Sequence, residues 1–409
     1  MKSTNPPKEA FIRPAGRLTG IGEYYFSAKL RDIAERNADG AGIINLGIGS
    51  PDLPPPEQVV DRLWQGARQL DAHGYQPYRG LPALRSAFSE WYRRHFRSAL
   101  DPETEILPLL GSKEGIMHIS MAFLDPGDEV LVPDPGYPAY RAASLLAGAG
   151  LRTYPLSEPQ GWLPDLDLLA RQDLSQVKIM WINYPHMPTG AVADPGFFSA
   201  LVSFAHAHRL LLVNDNPYAL LGAQPPLSLF QRDQGREVGL ELHSLSKSHN
   251  MAGWRIGMLC GREDFILPVL RFKSQMDSGM FRPVQEAAAE ALALDADWYE
   301  PLRAVYSGRR ALVRRLLETL GCRLHPAEQV GLFLWARVPE AWKDGYALSD
   351  WLLEQAGVFL APGGIFGPQG QGYIRASLCR PEPEIENALH RIESAHAGRE
   401  GGSDRKNWM

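Results

Sequence analysis

Apolar and polar positions recur along this chain with two different periods. Tyr24 to Arg36 (YYFSAKLRDIAER) has helical periodicity, and Pro56 to Gln69 and Leu81 to His95 share it, with Gly74 to Gly80 as a loop between the latter two. From about residue 106 to about 260 the pattern changes. Short apolar runs (ILPLL, EVLVP, RTYPL, KIMWIN, RLLLVND, LELHSL and RIGMLCG) alternate with helical stretches. That alternation predicts an α/β fold with a mostly parallel sheet covered on both faces. Met117 to Leu124 reads as a buried helix segment and Ile43 to Ile48 as a short strand. Val313 to Leu320 and Trp351 to Gln355 are helical candidates. Gly331 to Val338 and Gly372 to Leu378 are strand candidates, so the late part of the chain predicts a second, smaller domain.

A length of 409 residues is too great for one simple core and also predicts two domains. The composition, 44% hydrophobic and 22% charged, is that of an ordinary folded chain. A net charge of -5 argues against nucleic acid or anionic lipid as the main partner. Cys260, Cys322 and Cys379 lie far apart, which rules out a disulfide framework and matches no metal spacing, so no metal and a reducing, cytoplasmic setting are expected. The N-terminus does not read as a signal peptide, and no apolar run is long enough for a membrane span.

Several residues then acquire chemical meaning together. Lys247 lies in a Ser-rich turn after an apolar run, and its deprotonated amine can form a Schiff base with an aldehyde cofactor. Asp215 ends a predicted central strand, where open α/β sheets bind ligands, and a buried carboxylate there needs a cation such as a protonated pyridine. Tyr218, three residues on, can donate to a phenolic oxygen. Gly111, Ser112 and Lys113 open a helical stretch whose free N–H groups suit a phosphate; Ser244, Ser246 and Arg255 can complete that cup, Arg255 because burial beside Gly253 and Trp254 would otherwise demand a carboxylate partner. Tyr137 is placed to stack on a planar ring. Arg375, on a predicted strand, suits a bidentate grip on a substrate α-carboxylate. Each has a plainer reading taken alone: a surface lysine, a helix cap, a packing tyrosine, a paired arginine.

The motifs SLSKSHNMAGWRIG (244–257), NDNPY (214–218), MPTG (187–190) and PGGIFGPQGQGYIRASL (362–378), in this order and spacing, resemble those of the class I and II aminotransferases, pyridoxal 5'-phosphate enzymes of fold type I. The resemblance runs from about residue 20 to 392. The early segment Gly20 to Leu30 is similar to that of the LL-diaminopimelate and alanine-type branches. What this implies is a large domain with a mostly parallel seven-stranded sheet and a smaller α+β domain. The division expected is an arm at 1–20, a small domain of 21–55 with 290–395, a large cofactor-binding domain at 56–289, and a flexible tail at 396–409. Lys247 would be the Schiff-base lysine and proton shuttle, Asp215 the partner of the pyridine nitrogen and Tyr218 of the phenolic oxygen. Gly111 to Lys113, Ser244, Ser246 and Arg255 would hold the phosphate, and Tyr137 would stack. Arg375, helped by the backbone of Ile48 and Gly49, would bind the substrate carboxylate. Tyr75 would reach the phosphate of a neighbouring subunit, which implies a homodimer. Ile21, Tyr24 and Tyr25 are candidates for the side-chain pocket, and Arg282 for a distal carboxylate, although a solvated loop arginine is the better reading of it.

The substrates implied are an L-amino acid and a 2-oxo acid, with glutamate and 2-oxoglutarate as the default pair. One departure stands out: where the family carries an asparagine that donates to the phenolic oxygen, this chain has Met187, and a thioether cannot donate. The expectation is a raised imine pKa, unless His186 or Asn183 compensates. A β-lyase, a decarboxylase or a cyclisation at Cγ would use the same cofactor residues. A non-catalytic regulator is the remote alternative, since only about 20 residues precede the similar region, too few for a DNA-binding domain.

Overall fold

A computed structural model describes residues 12–403; the first eleven residues of the expected arm and the last six of the chain lie outside the described residues. All seven apolar runs between 106 and 260 form strands of one sheet. They are β2 (Ile106–Leu109), β3 (Glu129–Asp134), β4 (Gly150–Pro155), β5 (Val177–Ile182), β6 (Leu211–Asp215), β7 (Gly239–Ser244) and β8 (Gly257–Gly261), ordered β2-β8-β7-β6-β5-β3-β4. Only β8 runs against the others.

The runs are nearly continuous in apolar residues because both faces of the sheet are covered. Leu107, Val130, Ile179, Trp181 and Val213 pack with Ile116 and Ile119 of helix α4 (Ser112–Phe123) and Tyr140 of α5 (Pro138–Leu146). Their strand neighbours Ile106, Leu131, Met180, Ile182 and Leu212 belong to the opposite core with Phe88, Tyr92 and Phe96 of α3 (Pro82–Phe96). Successive residues of a strand point to opposite faces, so a strand buried on both must be apolar throughout.

The smaller part is built from β9 (Arg323–Leu324), β10 (Phe333–Arg337), β12 (Ala361–Pro362) and β13 (Tyr373–Ser377) in an antiparallel sheet, order β12-β13-β10-β9, with the long helix Ala296–Thr319 beside it. The expected strand over Ile43 to Ile48 is shorter: β1 (Ile44–Asn45) pairs in parallel with β11 (Val358–Phe359) and then stops. Beyond it the chain turns along two rings. A Cβ at Gly47 would stand 2.3 Å from the Phe359 ring and one at Gly49 2.0 Å from Phe333, so only glycine allows this approach. The helix near the N-terminus, α1, spans Tyr25–Ala38, and α2 spans Glu57–Ala67.

Two expected boundaries meet continuous helices. The break at 289/290 falls inside helix Arg282–Leu292, which packs on α2. The last helix runs Glu382–Ser403, well into the segment expected as a flexible tail. Among the described residues no helix is long and apolar enough to cross a membrane, and Cys260, Cys322 and Cys379 are buried and free. Folding brings Cys260 beside Glu241 and His243, a grouping that sequence spacing did not suggest. The Glu241 carboxylate there is already filled by Asn214, the Leu229 N–H and Tyr92.

Candidate active site

A cleft of about 550 Å³ opens at the C-terminal edge of the large sheet, where ligands gather in open α/β folds. Strand ends deliver its residues: Ser112 and Lys113 follow β2, Tyr137 follows β3, Asn183 follows β5, Asp215 ends β6, and Ser246 and Lys247 follow β7. Arg255 precedes β8, yet it reaches the same edge because β8 is reversed. Its neighbour Gly257 sits in register between Leu109 and Ser244. A Cβ at Gly257 would lie 2.8 Å from the Ser112 nitrogen, so this glycine lets β8 approach the start of α4.

Asp215 is 3% exposed. Its Oδ2 accepts from the Tyr140 hydroxyl at 2.9 Å, whereas Oδ1 is buried with no partner. Burial pushes the carboxyl pKa up to about 7, partly offset by Tyr140 and Ser112. Ser112, expected at a phosphate, lines the cleft at the first turn of α4, whose free N–H groups are the anion donors. Lys247 donates to the Gly49 carbonyl at 2.6 Å, and burial pushes its pKa down to about 8. Tyr218 is buried, and that burial raises its hydroxyl pKa, so it keeps its proton.

Arg255 departs from the expectation of burial. It is exposed, in the left-handed region (φ 58°), and among the described residues its guanidinium donates to the carbonyls of Ala252 and Leu110. Gly111, φ 85°, lets it lie against the start of α4: a Cβ there would stand 2.2 Å from Arg255 Nη2. Together with the first N–H groups of α4 this forms a cationic cradle open to solvent, which suits a phosphate. The Ser244 hydroxyl caps the turn of Lys247 by accepting from the Ser246 N–H. The Lys113 ammonium lies 5.0 Å from the Tyr24 ring, and both residues line the cleft.

Arg375 stands at the centre of the small sheet, opposite Trp335 and Ala361. It is 4% exposed, with Phe333 3.8 Å and Phe366 4.6 Å from its guanidinium, and burial pushes its pKa down to about 10. Ile48 and Gly49 line the same cleft, as does Tyr24, whereas Ile21 and Tyr25 line an adjoining groove over α4 and α5. Tyr75 is 92% exposed and outside the cleft of its own chain. Arg282 is held by Glu286 and Asp71.

Of the two suggested substitutes for the donor at position 187, Asn183 lines the cleft and His186 does not. Asn183 uses Nδ2 on the Asp215 carbonyl and Oδ1 on the Met187 N–H. His186 pairs with Thr189, and burial pushes its pKa down to about 3. Sequence reading passed over Tyr140 and the Phe26, Phe333 and Phe366 surround of Arg375. Tyr140 was detectable in principle, three residues after Tyr137 on one helical face; the phenylalanines come from remote segments and carry no local signal.

An unpaired buried carboxylate oxygen, a lysine with lowered pKa and an open anion cradle fit pyridoxal phosphate at its ring nitrogen, aldehyde and phosphate. Fold and site together define a fold type I, pyridoxal-phosphate-dependent aminotransferase. Comparison with known proteins agrees. The family model for aminotransferase class I and II matches residues 41–392. The chain is 42% identical over 378 residues to an LL-diaminopimelate aminotransferase of Dehalococcoides mccartyi, covering 92% of this chain and 97% of that one. It is 38% identical over 383 residues to the LL-diaminopimelate aminotransferase of Aquifex aeolicus, covering 92% and 98%. Substrate-bound BacF from Bacillus subtilis superposes with a TM-score of 0.88 at 35% identity, covering 94% and 97%. The chain belongs to the class I and II aminotransferase family, close to its LL-diaminopimelate branch.

Proposed function

We propose that the enzyme moves the amino group of an L-amino acid to a 2-oxo acid, with glutamate and 2-oxoglutarate as one pair, in a cleft that a homodimer completes. The observation that carries this reading is the convergence of Asp215, Lys247 and Arg375. None of the three has an opposite charge among its hydrogen-bond partners, and each has a pKa displaced toward neutrality. Buried charges in that state call for ligands that supply the missing partners. Pyridoxal phosphate, when bound, supplies an electrophilic carbon and an electron-accepting ring.

The residues divide the remaining work. Asp215 holds a proton on the ring nitrogen, and Tyr218 donates to the phenolic oxygen. Gly111, Ser112, Lys113, Ser246 and Arg255 hold the phosphate, with Ser244 bracing the turn, and Tyr137 stacks on the ring. Arg375 takes the α-carboxylate beside Ile48 and Gly49, orienting the Cα hydrogen toward Lys247. The Lys247 amine then carries that proton away from Cα. A pKa near 8 leaves it able to accept and return a proton close to neutrality. Phe333 and Phe366 keep water from the carboxylate grip.

Tyr75 is an exposed aromatic side chain outside the cleft of its own chain, free to reach a second copy. Of the side-chain pocket candidates, Tyr24 lines the cleft and is the one that would meet the substrate side chain. The free cysteines favour a reducing, cytoplasmic setting. The relatives' named substrate makes LL-diaminopimelate the first donor to try. In the decisive experiment, single L-amino acids are added to the cofactor-loaded protein while its absorbance is followed. Conversion by a small set, reversed by 2-oxoglutarate, is expected. A spectrum that no amino acid converts, or that 2-oxoglutarate cannot restore, refutes the proposed pair.

A further inference from the structure

We propose that Met187 is a positioning residue for Arg375, and that it acts on the carboxylate grip and not on the cofactor. The inference rests on the aminotransferase reading for the identity of the anion. Met187 Sδ lies 3.3 Å from Arg375 Nη1, and the Gly47 carbonyl lies 2.8 Å from Nη2. Nε is buried without a partner, and the Phe333 ring lies 3.8 Å from the guanidinium carbon. The guanidinium is thus located at both terminal nitrogens by uncharged acceptors and supported by an aromatic ring. Neither acceptor neutralises it.

A thioether is among the weakest acceptors a protein offers. It fixes Nη1 in place and leaves the cation nearly undiminished for an incoming carboxylate. The sulfur is itself held: the Met187 N–H donates to Asn183 Oδ1, whose Nδ2 donates to the Asp215 carbonyl. Large-sheet residues that carry Asp215 therefore also set the arginine of the small sheet. An asparagine here could donate toward the cofactor; methionine cannot, and in this structure its sulfur turns to Arg375.

The test compares wild type with Met187→Leu, which keeps the volume and removes the acceptor. Propionate serves as the carboxylate probe, titrated by calorimetry into cofactor-free and cofactor-loaded protein. The expected result is propionate binding weakened about three- to tenfold in both forms, the scale of one modest hydrogen bond. KM for a reactive amino acid rises in parallel, with kcat within about twofold. The pH midpoint of the cofactor absorbance stays where it was. Met187→Gln, which returns an acceptor of similar reach, restores most of the propionate affinity and guards against a leucine variant that folds poorly. Unchanged propionate binding in Met187→Leu would overturn the proposal, as would a shifted absorbance midpoint in that variant. Should no amino acid react while propionate affinity still depends on position 187, the aminotransferase reading fails and this inference stands. Normal transamination with indifferent propionate binding means the reverse.

Discussion

Replacing Asp215 by asparagine should change how stability depends on pH, and the size follows from the burial of the carboxylate. In the cofactor-free protein that burial holds the pKa near 7, whereas an unfolded aspartate titrates near about 4. Between those values the folded chain binds a proton that the unfolded chain has released. Stability therefore falls as pH rises, by about 1.4 kcal/mol for each pH unit. The contribution is fully present below about pH 4 and is gone once pH has passed about 7, a total of about 4 kcal/mol. Asparagine has no such proton. Urea unfolding of the cofactor-free wild type and of Asp215→Asn, from about pH 4.5 to about pH 8, should give stability curves that diverge by roughly that amount across the window. The difference between the curves removes histidines and surface carboxylates common to both. Cofactor binding should flatten the wild-type curve, because a protonated ring nitrogen gives the carboxylate its missing cation. Parallel curves for the two cofactor-free proteins would refute the claim that Asp215 is held in an uncompensated buried site.

Arg375→Ala should lower kcat/KM for the best amino acid by a factor of about 30 or more, since it removes one member of a buried charge pair; steady-state kinetics that change less than about tenfold would deny it the carboxylate. Gly111→Ala forces a Cβ to within 2.2 Å of Arg255 Nη2 at φ 85°, so cofactor affinity measured by spectral titration should fall by about tenfold or more. Met187→Asn restores a possible donor beside the ring, and the pH midpoint of the cofactor absorbance should move down; a midpoint that stays put removes the idea that the missing donor matters. Sedimentation should show twice the 45.4 kDa chain mass, and Tyr75→Ala should weaken cofactor binding without altering the secondary structure seen by circular dichroism. A monomer with a full complement of cofactor would refute the shared site.

The sheet was legible because its strands are buried on both faces and so read as unbroken apolar runs. Lys247, Asp215 and Arg375 were legible through short motifs at strand ends, where the local chain already states the chemistry. Other features were not local. The stop after Asn45 depends on the Phe359 and Phe333 rings, more than 280 residues away in sequence. The exposure of Arg255 depends on a reversed β8 that puts it at the rim. The ties of Asn183 to the Asp215 carbonyl and the Met187 N–H were decided by neighbours that no motif names.

By itself the sequence determined the strand-by-strand architecture, the lysine and its company, and the presence of a methionine where a donor is usual. Periodicity and motif order are properties of nearby residues, so they survive without knowledge of the fold. Only the tertiary structure decided which charges are left without partners and what the methionine touches. Those outcomes depend on desolvation and on distances between remote segments: a carboxyl becomes a near-neutral acid only when the fold has removed its water, and a thioether becomes a contact of Arg375 only when two sheets have closed on the same cleft.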